Sequence, residues 1–457
     1  MIVLLLVLAM CAGCLVGCTE QTTEGIDEET KKAITNQLFL MADNAYSDLI
    51  DNYWVDGANG GYFHNRYNDN RSSLNDLVWQ FTMAFLAMET YYYATGDESV
   101  LDYLSAQMET YYTRVDQNWL LQLGAGGNNP ANDDATCTTM LFMLAYKLLG
   151  DEKALDYCHT MLTKSYDYWQ DETTRNGIWY CYPQDKELHD NFKSIFAAGL
   201  ILTELDYYEA TKGTEREDEE LHQRSLDFYL WIEENLRRDG ERTWMGKTWN
   251  YDDNLYYADF IDDKVMGAQY PKEYKSANMI IQTRSWTSLY GNMCMSVINA
   301  RLYEMTGDKT YLEKAVSTAN ALVTTDFNRN GAFLNDRDAW ANSAYLGFFV
   351  REVLPLEGVD PELGRMLMKT AADILKNTHY EGGYYGADWD GSGIWLKHDT
   401  SGEHTTWMAT NATSIHMIFA TYAALCNGNI PLQEGDLELL QATYPSKKLD
   451  DKGNLIK

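Results

Sequence analysis

The sequence is short of proline, of basic residues and of long apolar runs, and each shortage excludes something. Seven prolines in 457 residues leave long stretches open to helix, because proline breaks helix interiors. Thirty-six Lys and Arg stand against 68 Asp and Glu, a formal net charge of −32. Such a surface repels a polyanion, so nucleic acid is excluded as a partner. The eight cysteines show no CxxC spacing and no Cys/His cluster, and the eight histidines no HExxH-type spacing. Neither a disulfide framework nor a metal site is indicated, and no cofactor is expected. Beyond the first 18 residues nothing is apolar enough to cross a bilayer, which takes roughly 20 residues of helix.

The first 17 residues carry no charge and end in Leu15-Val16-Gly17-Cys18. This reads as a secretory leader, residues 1–18, with a lipobox in which Cys18 is lipidated and becomes the mature N-terminus. No Lys or Arg precedes the run, so the natural start is expected upstream of Met1. Residues 19–30 form a polar tether, and the implied location is the extracellular face of the membrane, held by lipid alone. Of the cysteines that remain, Cys137, Cys158, Cys181, Cys294 and Cys426 suit small apolar core positions.

A composition of 45% hydrophobic and 23% charged residues is that of a folded globular chain. The length exceeds one compact core, which calls for several domains or for one unit repeated around an axis. A repeat is visible in Ala94-Thr95-Gly96-Asp97, Leu148-Leu149-Gly150-Asp151 and Met305-Thr306-Gly307-Asp308. Glycine suits the left-handed residue that ends one helix, and Asp caps the next. The three Asp are separated by 54 and 157 residues, and the second step is close to three times the first. A period of about 50 residues built from helix pairs marks a repeat architecture. Further helical stretches fall at 31–50, 74–93, 135–149, 192–210, 219–236, 287–304, 341–354, 361–377 and 410–425. The Gly/aromatic tracts near 60–63, 176–180 and 382–385 read as loops or small hairpins at one rim. The expected fold is all-α, an (α/α)6 toroid over residues 31–430 followed by a tail at 431–457, in a monomer whose rim carries the site.

Thirty-three Tyr and 13 Trp against 14 Phe favour rings with a polar edge, which suit sugars: the face stacks and the OH or NH hydrogen-bonds. Asn132-Asp133-Asp134 follows the loop at 124–130 and opens an apolar helical run. Two consecutive carboxylates usually form a solvated cap, because their side chains diverge by about 100°. At a helix start facing a cavity they also supply the two carboxyls that glycoside hydrolysis needs, roughly 5 Å apart for retention and farther for inversion. Asp252-Asp253 and Asp262-Asp263 are rival pairs, with Tyr251, Tyr256 and Tyr257 nearby, and read as solvated. Asp326, Asn328, Asn330 and Gly331 imitate half a calcium loop, but position twelve is Arg337 where Glu is required, so a tight loop is expected. Arg351 reads as a buried cation pairing helices.

In order along the chain, these segments resemble glycoside hydrolase family 76. Asn132-Asp133-Asp134 resembles the family's catalytic motif. Gly177-Ile178-Trp179-Tyr180 with Asn191 and Ser194, Trp286-Thr287 with Gly291, Gly347-Phe348-Phe349-Val350-Arg351, and Gly386-Ala387-Asp388-Trp389-Asp390-Gly391 resemble its later motifs. The resemblance implies an (α/α)6 fold and a retaining, endo-acting α-1,6-mannanase, with Asp133 as nucleophile and Asp134 as general acid/base. It also implies sugar contacts at Asn132, Trp179, Tyr180, Asn191, Trp286, Thr287, Tyr385, Asp388 and Trp389, and a neutral polysaccharide as partner. Ser288-Leu289-Tyr290 stands where the family usually has Tyr-Asn-Gln, and Asp190 where Lys is common, so the linkage or sugar can differ. The competing readings are a glycan-binding lipoprotein without turnover and another toroid enzyme, an uronyl hydrolase or a sugar epimerase.

Overall fold

The computed structural model describes residues 26–57, 60–63, 78–114, 132–171, 177–179, 193–244, 247–260, 287–334, 344–386, 389 and 407–441. In chain order the elements are α1 (Glu28–Tyr53), the hairpin β1–β2 (Trp54–Gly57, Gly60–Phe63), α2 (Val78–Thr95), α3 (Ser99–Arg114), α4 (Asn132–Leu149) and α5 (Glu152–Trp169). The hairpin β3–β4 (Gln170–Asp171, Gly177–Ile178), β5 (Lys193–Ser194), α6 (Ala198–Thr211) and α7 (Glu219–Leu236) follow. Next come the ribbon β6–β7 (Arg237–Trp244, Lys247–Tyr256), β8 (Asp259–Phe260), α8 (Leu289–Thr306), α9 (Lys309–Thr324) and the hairpin β9–β10 (Asn328–Arg329, Ala332–Phe333). The last are α10 (Leu346–Phe348, continued by a wider turn over Phe349–Val353), α11 (Glu362–Thr378), β11–β12 (His379–Tyr380, Tyr384–Tyr385), α12 (Trp407–Cys426) and α13 (Asp436–Gln441).

Two kinds of helix alternate. In α8 every residue from Leu289 to Leu302 is buried, whereas α9 buries Ala315, Thr318, Ala319, Ala321 and Leu322 on one face. A helix apolar all round belongs inside, and one with a single apolar stripe covers it. Accordingly α2, α4, α6, α8, α10 and α12 pack each against the next, and α12 returns to α2. The closed inner ring, sheathed by helices such as α1, α5, α7, α9 and α11, is the all-α (α/α)6 toroid expected from the repeat.

Short turns lead from inner to outer helices. At one of them Gly307 sits at φ +70°, where a side chain would be strained, and Asp308 accepts from the Thr310 amide at 2.9 Å. Gly96-Asp97 and Gly150-Asp151 repeat this arrangement. The return connections, from outer to inner helix, carry the small hairpins. All inner N-termini therefore gather at the hairpin rim.

The tracts at 60–63, 176–180 and 382–385 supply β2, β4 and β12 of that rim. The calcium-loop imitation is the turn of β9–β10, with positive φ at Asn330 (57°) and Gly331 (82°). That is the turn an Asn-Gly pair favours in hairpins. The β6–β7 ribbon, of eight and ten residues, has no counterpart among the hairpins expected. Two other boundaries differ from expectation. Asp27 accepts from the Thr30 amide at 2.6 Å and starts α1 within the stretch read as tether. The stretch read as tail contains α13, which packs on α1 and is pinned by Arg365 to both carboxylate oxygens of Asp436 (2.7 and 3.0 Å).

The inner ring is closed away from the rim by charge. Arg301 of α8 pairs with Asp206 of α6 at 2.7 Å and with Glu352 of the α10 turn at 2.7 and 2.9 Å. Lys147 of α4 reaches Asp206 at 3.2 Å, and Arg351 reaches Glu89 of α2 at 3.3 Å. Arg351 thus pairs helices, as its sequence context suggests. The cations lie toward helix C-termini, where the macrodipole favours them.

Close packing of the ring is testable at Gly199 of α6. A Cβ there would press on the Tyr345 hydroxyl and the Thr136 methyl, nearer than side-chain atoms approach one another. Overpacking costs about 1–3 kcal/mol, while Gly→Ala in a helix returns about 1 kcal/mol. With two neighbours in the way overpacking wins. Gly199→Ala is expected to lower the urea midpoint, and an unchanged or raised midpoint would show that the ring has slack here.

Candidate active site

The site is built on the first turn of α4. Asn132, fully buried, donates from Nδ2 to the Trp179 carbonyl at 2.7 Å, and its own carbonyl accepts from the Thr136 hydroxyl at 2.9 Å. The Trp179 amide in turn donates to the Trp169 carbonyl at 2.9 Å, extending the β3–β4 pairing. Asn132 therefore ties the rim hairpin after α5 to the start of α4, and brings Trp179 beside the helix that carries Asp133. Asp133 is 7% exposed. Asp134 follows it in the same turn. First-turn amides have no intrahelical acceptor, and the helix dipole adds partial positive charge there, so both features stabilise carboxylates at these positions.

Beneath this turn lies an aromatic stack. Phe196, Tyr290 and Tyr345 stand at the starts of α6, α8 and α10, with ring centroids 5.2 Å apart between the first two and 6.0 Å between the last two. The Tyr345 hydroxyl lies against Gly199 and Thr136, so the stack crosses the ring toward α4. Burial pushes the Tyr345 hydroxyl well above its ordinary pKa, and Cys294, Cys137 and Asp133 add to the shift. Tyr345 therefore stays protonated beside Asp133. Tyr290, a departure from the family pattern, is the middle ring of the stack.

Thr287 is buried immediately before α8, whose cap is Ser288. The Arg238 guanidinium from β6 donates to the Thr287 hydroxyl and to Asp253 (2.6 Å) and lies 4.1 Å over the Tyr251 ring. Asp252 is exposed as expected of a solvated pair, whereas Asp253 is engaged by this buried cation. Tyr385 is a strut: its amide donates to Asn411 at 2.8 Å, its hydroxyl to Asp48 at 3.0 Å, and 2% of it is exposed. Trp389, 1% exposed, lies beside the outer helix α11, where Asn377 reaches its carbonyl at 3.4 Å. Neither ring offers an open face to a sugar.

Cys18, Cys181, Tyr180, Asn191, Trp286, Asp388 and the pair Asp262-Asp263 lie outside the described residues. Arg238, Tyr345 and the role of Tyr290 are absent from the candidates read in the sequence. Only the tyrosines near Asp253 hint at a cation between them. Cys137, Cys158 and Cys294 are buried core residues, while Cys426 is exposed. Among the described residues no group of three or more His, Cys, Asp or Glu could hold a metal, and no helix is long and apolar enough to cross a membrane.

No family model matches the sequence, and no curated protein matches it. Solved structures do match. The α-1,6-mannanase GH76A of Salegentibacter sp. HEL1_6 is 17% identical with a TM-score of 0.62, over 85% of this chain and 99% of that one. The same enzyme matches equally well as an inactive variant, two consecutive aspartates changed to asparagine, in complex with α-1,6-mannotriose. A family 76 glycoside hydrolase (mannosidase) from Bacteroides thetaiotaomicron VPI-5482 is 17% identical, TM-score 0.57, over 84% of this chain and 98% of that one. Dfg5 from Chaetomium thermophilum, in complex with glucosamine, is 15% identical, TM-score 0.57, over 88% and 92%. At these identities the likeness is one of fold.

Proposed function

We propose that this chain is a family 76-type glycoside hydrolase, a retaining endo-α-1,6-mannanase held at the outer face of the membrane through a lipid on Cys18. The observation that carries the reading is the Asp133-Asp134 pair on the first turn of an inner helix, at the rim of a toroid shared with a mannanase that is inactive when two consecutive aspartates are changed. In this reading Asp133 attacks the anomeric carbon while Asp134 protonates the leaving oxygen. Asp134 then deprotonates the water that releases the sugar with its configuration retained. Neighbouring carboxyls suit the division of labour, since ionising one raises the proton affinity of the other. Tyr345 supplies a neutral hydroxyl below, and the Asn132–Trp179 tie holds the rim wall. The net charge of −32 favours a neutral polymer over a polyuronate, which separates this reading from the uronyl hydrolase.

The test is product analysis. Linear and branched α-mannans are incubated with the protein, the oligosaccharides chromatographed, and the first anomer formed identified by NMR. A ladder of internal cleavage products with the α-configuration retained is expected. Release of mannose alone would overturn endo action, and initial β-anomer would overturn retention. Faster action on pectin fragments would replace mannan as the substrate.

A further inference from the structure

One ring of the aromatic stack keeps exposed surface. Tyr290 and Tyr345 are each 3% exposed, whereas Phe196, between the buried Ile195 and Ala197, is only part-buried. Its place relative to Asp133 follows from helix geometry, in which residues three apart share a face. Phe196 lies three residues before Gly199, and Asp133 three before Thr136. Gly199 lies against the Thr136 methyl, where α6 meets α4. Both helices start at the rim, so one turn nearer the rim Phe196 and Asp133 take adjoining positions on them. The turn Ile195–Ala197 accordingly packs against α4. Its backbone is fixed, since the Phe196 amide donates to Ser194 Oγ and the Ile195 amide to the Ala258 carbonyl, both at 2.9 Å. The Arg301 network shuts the far end of the ring, so the surface left on Phe196 faces the rim.

We propose that Phe196 is a specificity-determining residue of the Asp133 site, packing its ring on the C–H face of the sugar held beside that carboxyl. A large apolar ring in water is stabilised by being covered, and a sugar's C–H face suits an aromatic face. Tyr290 stands behind it, 5.2 Å between centroids and 22° from parallel, and Tyr345 behind that, so the ring is held for its partner. Rings carry no charge to pair with a carboxylate, and covering an unpaired charge is costly. The position therefore selects a neutral hexose over a uronate. The choice of mannose rests on the hydrolase reading, while the ring contact with a neutral hexose does not.

The experiment is a titration of the Asp133→Ala full-length chain, isotope-labelled in its phenylalanine rings, with α-1,6-mannotriose, α-1,6-glucotriose and trigalacturonate. Mannotriose is expected to bind with nuclear Overhauser contacts between one phenylalanine ring and sugar C–H protons. In the added Phe196→Tyr variant the labelled contact should vanish while the affinity stays, because a ring remains. In Phe196→Leu the affinity should fall about tenfold, the scale of one aromatic contact. Mannotriose bound without contact to any phenylalanine ring overturns the proposal before any variant is made, and leaves Phe196 a packing residue. A contact that survives Phe196→Tyr, or a Phe196→Leu chain that binds as tightly as its parent, overturns it too. Trigalacturonate bound as tightly as mannotriose overturns the selectivity. Mannan hydrolysis by the unmodified chain is scored separately. Cleavage without the ring contact upholds the hydrolase reading and sinks the role of Phe196. A ring contact with glucotriose that vanishes in Phe196→Tyr, without mannan cleavage, upholds Phe196 and sinks the mannanase. Binding of no sugar overturns the proposal.

Discussion

Asp133→Ala is expected to abolish turnover on every substrate, a loss on the order of 10³–10⁶ in kcat, the scale on which removal of an attacking group acts. In the proposed mechanism the reason lies in which step each carboxyl would serve. Without a nucleophile no glycosyl-enzyme forms, and a better leaving group cannot compensate. Asp134→Ala removes the proton donor instead. It should be similarly damaging on mannan, whose leaving alkoxide needs the proton, but mild on an activated aryl mannoside, whose phenolate leaves unaided. The measurement is kcat/KM of both variants on mannan and on an aryl mannoside that the parent accepts. Aryl activity kept by Asp133→Ala and lost by Asp134→Ala would reverse the roles. Wild-type rates in both would move the chemistry elsewhere.

The sequence foretold the parts of this molecule that are local. Gly-Asp turns are legible because a left-handed glycine and a capping carboxylate act within four residues, and Gly307-Asp308 forms the turn that those residue types predict. The rim tracts are legible for the same reason: Gly60-Gly61-Tyr62-Phe63 closes its own hairpin with residues 54–57. The β6–β7 ribbon was not, because its strands alternate charged and polar side chains in place of an apolar face. Arg238 finds Thr287 forty-nine positions away, and Tyr345 reaches Gly199 across the ring. No spacing rule links such pairs, since only ring closure brings them together. Asp133 stood out because it adjoins a helix start, but the floor beneath it is tertiary. Burial also revised the aromatic candidates. A tyrosine in a Gly-rich tract looks like a sugar platform, and Tyr385 proves to be a strut between Asp48 and Asn411.

The charge network across the ring makes the second large effect. Arg301 is 8% exposed, donates to both oxygens of Glu352 and to Asp206, and also reaches the Leu202 carbonyl at 3.1 Å. Removing one partner of a buried pair leaves an uncompensated charge, at about 3–5 kcal/mol, whereas replacing both partners with apolar groups is often far milder. Arg301→Met is therefore expected to lose about 3–5 kcal/mol at neutral pH. Adding Asp206→Leu should recover part of the loss, although Lys147 would then lack its partner. The pH dependence carries the diagnostic sign. Burial alone would raise the Asp206 carboxyl, but Arg301 and Lys147 outweigh it and hold it below the ordinary value. A depressed carboxyl contributes stability that is present above its unfolded pKa of about 4 and is lost as pH falls through the lower folded value. Without Arg301, burial dominates and the folded pKa rises, so protonation relieves the variant while it costs the parent. The gap between parent and Arg301→Met should accordingly narrow from pH 7 toward pH 4 in denaturant titrations. A gap of constant size across that range would mean that Arg301 contributes through packing against Phe348, 5.2 Å from its guanidinium, and not through the charge of Asp206.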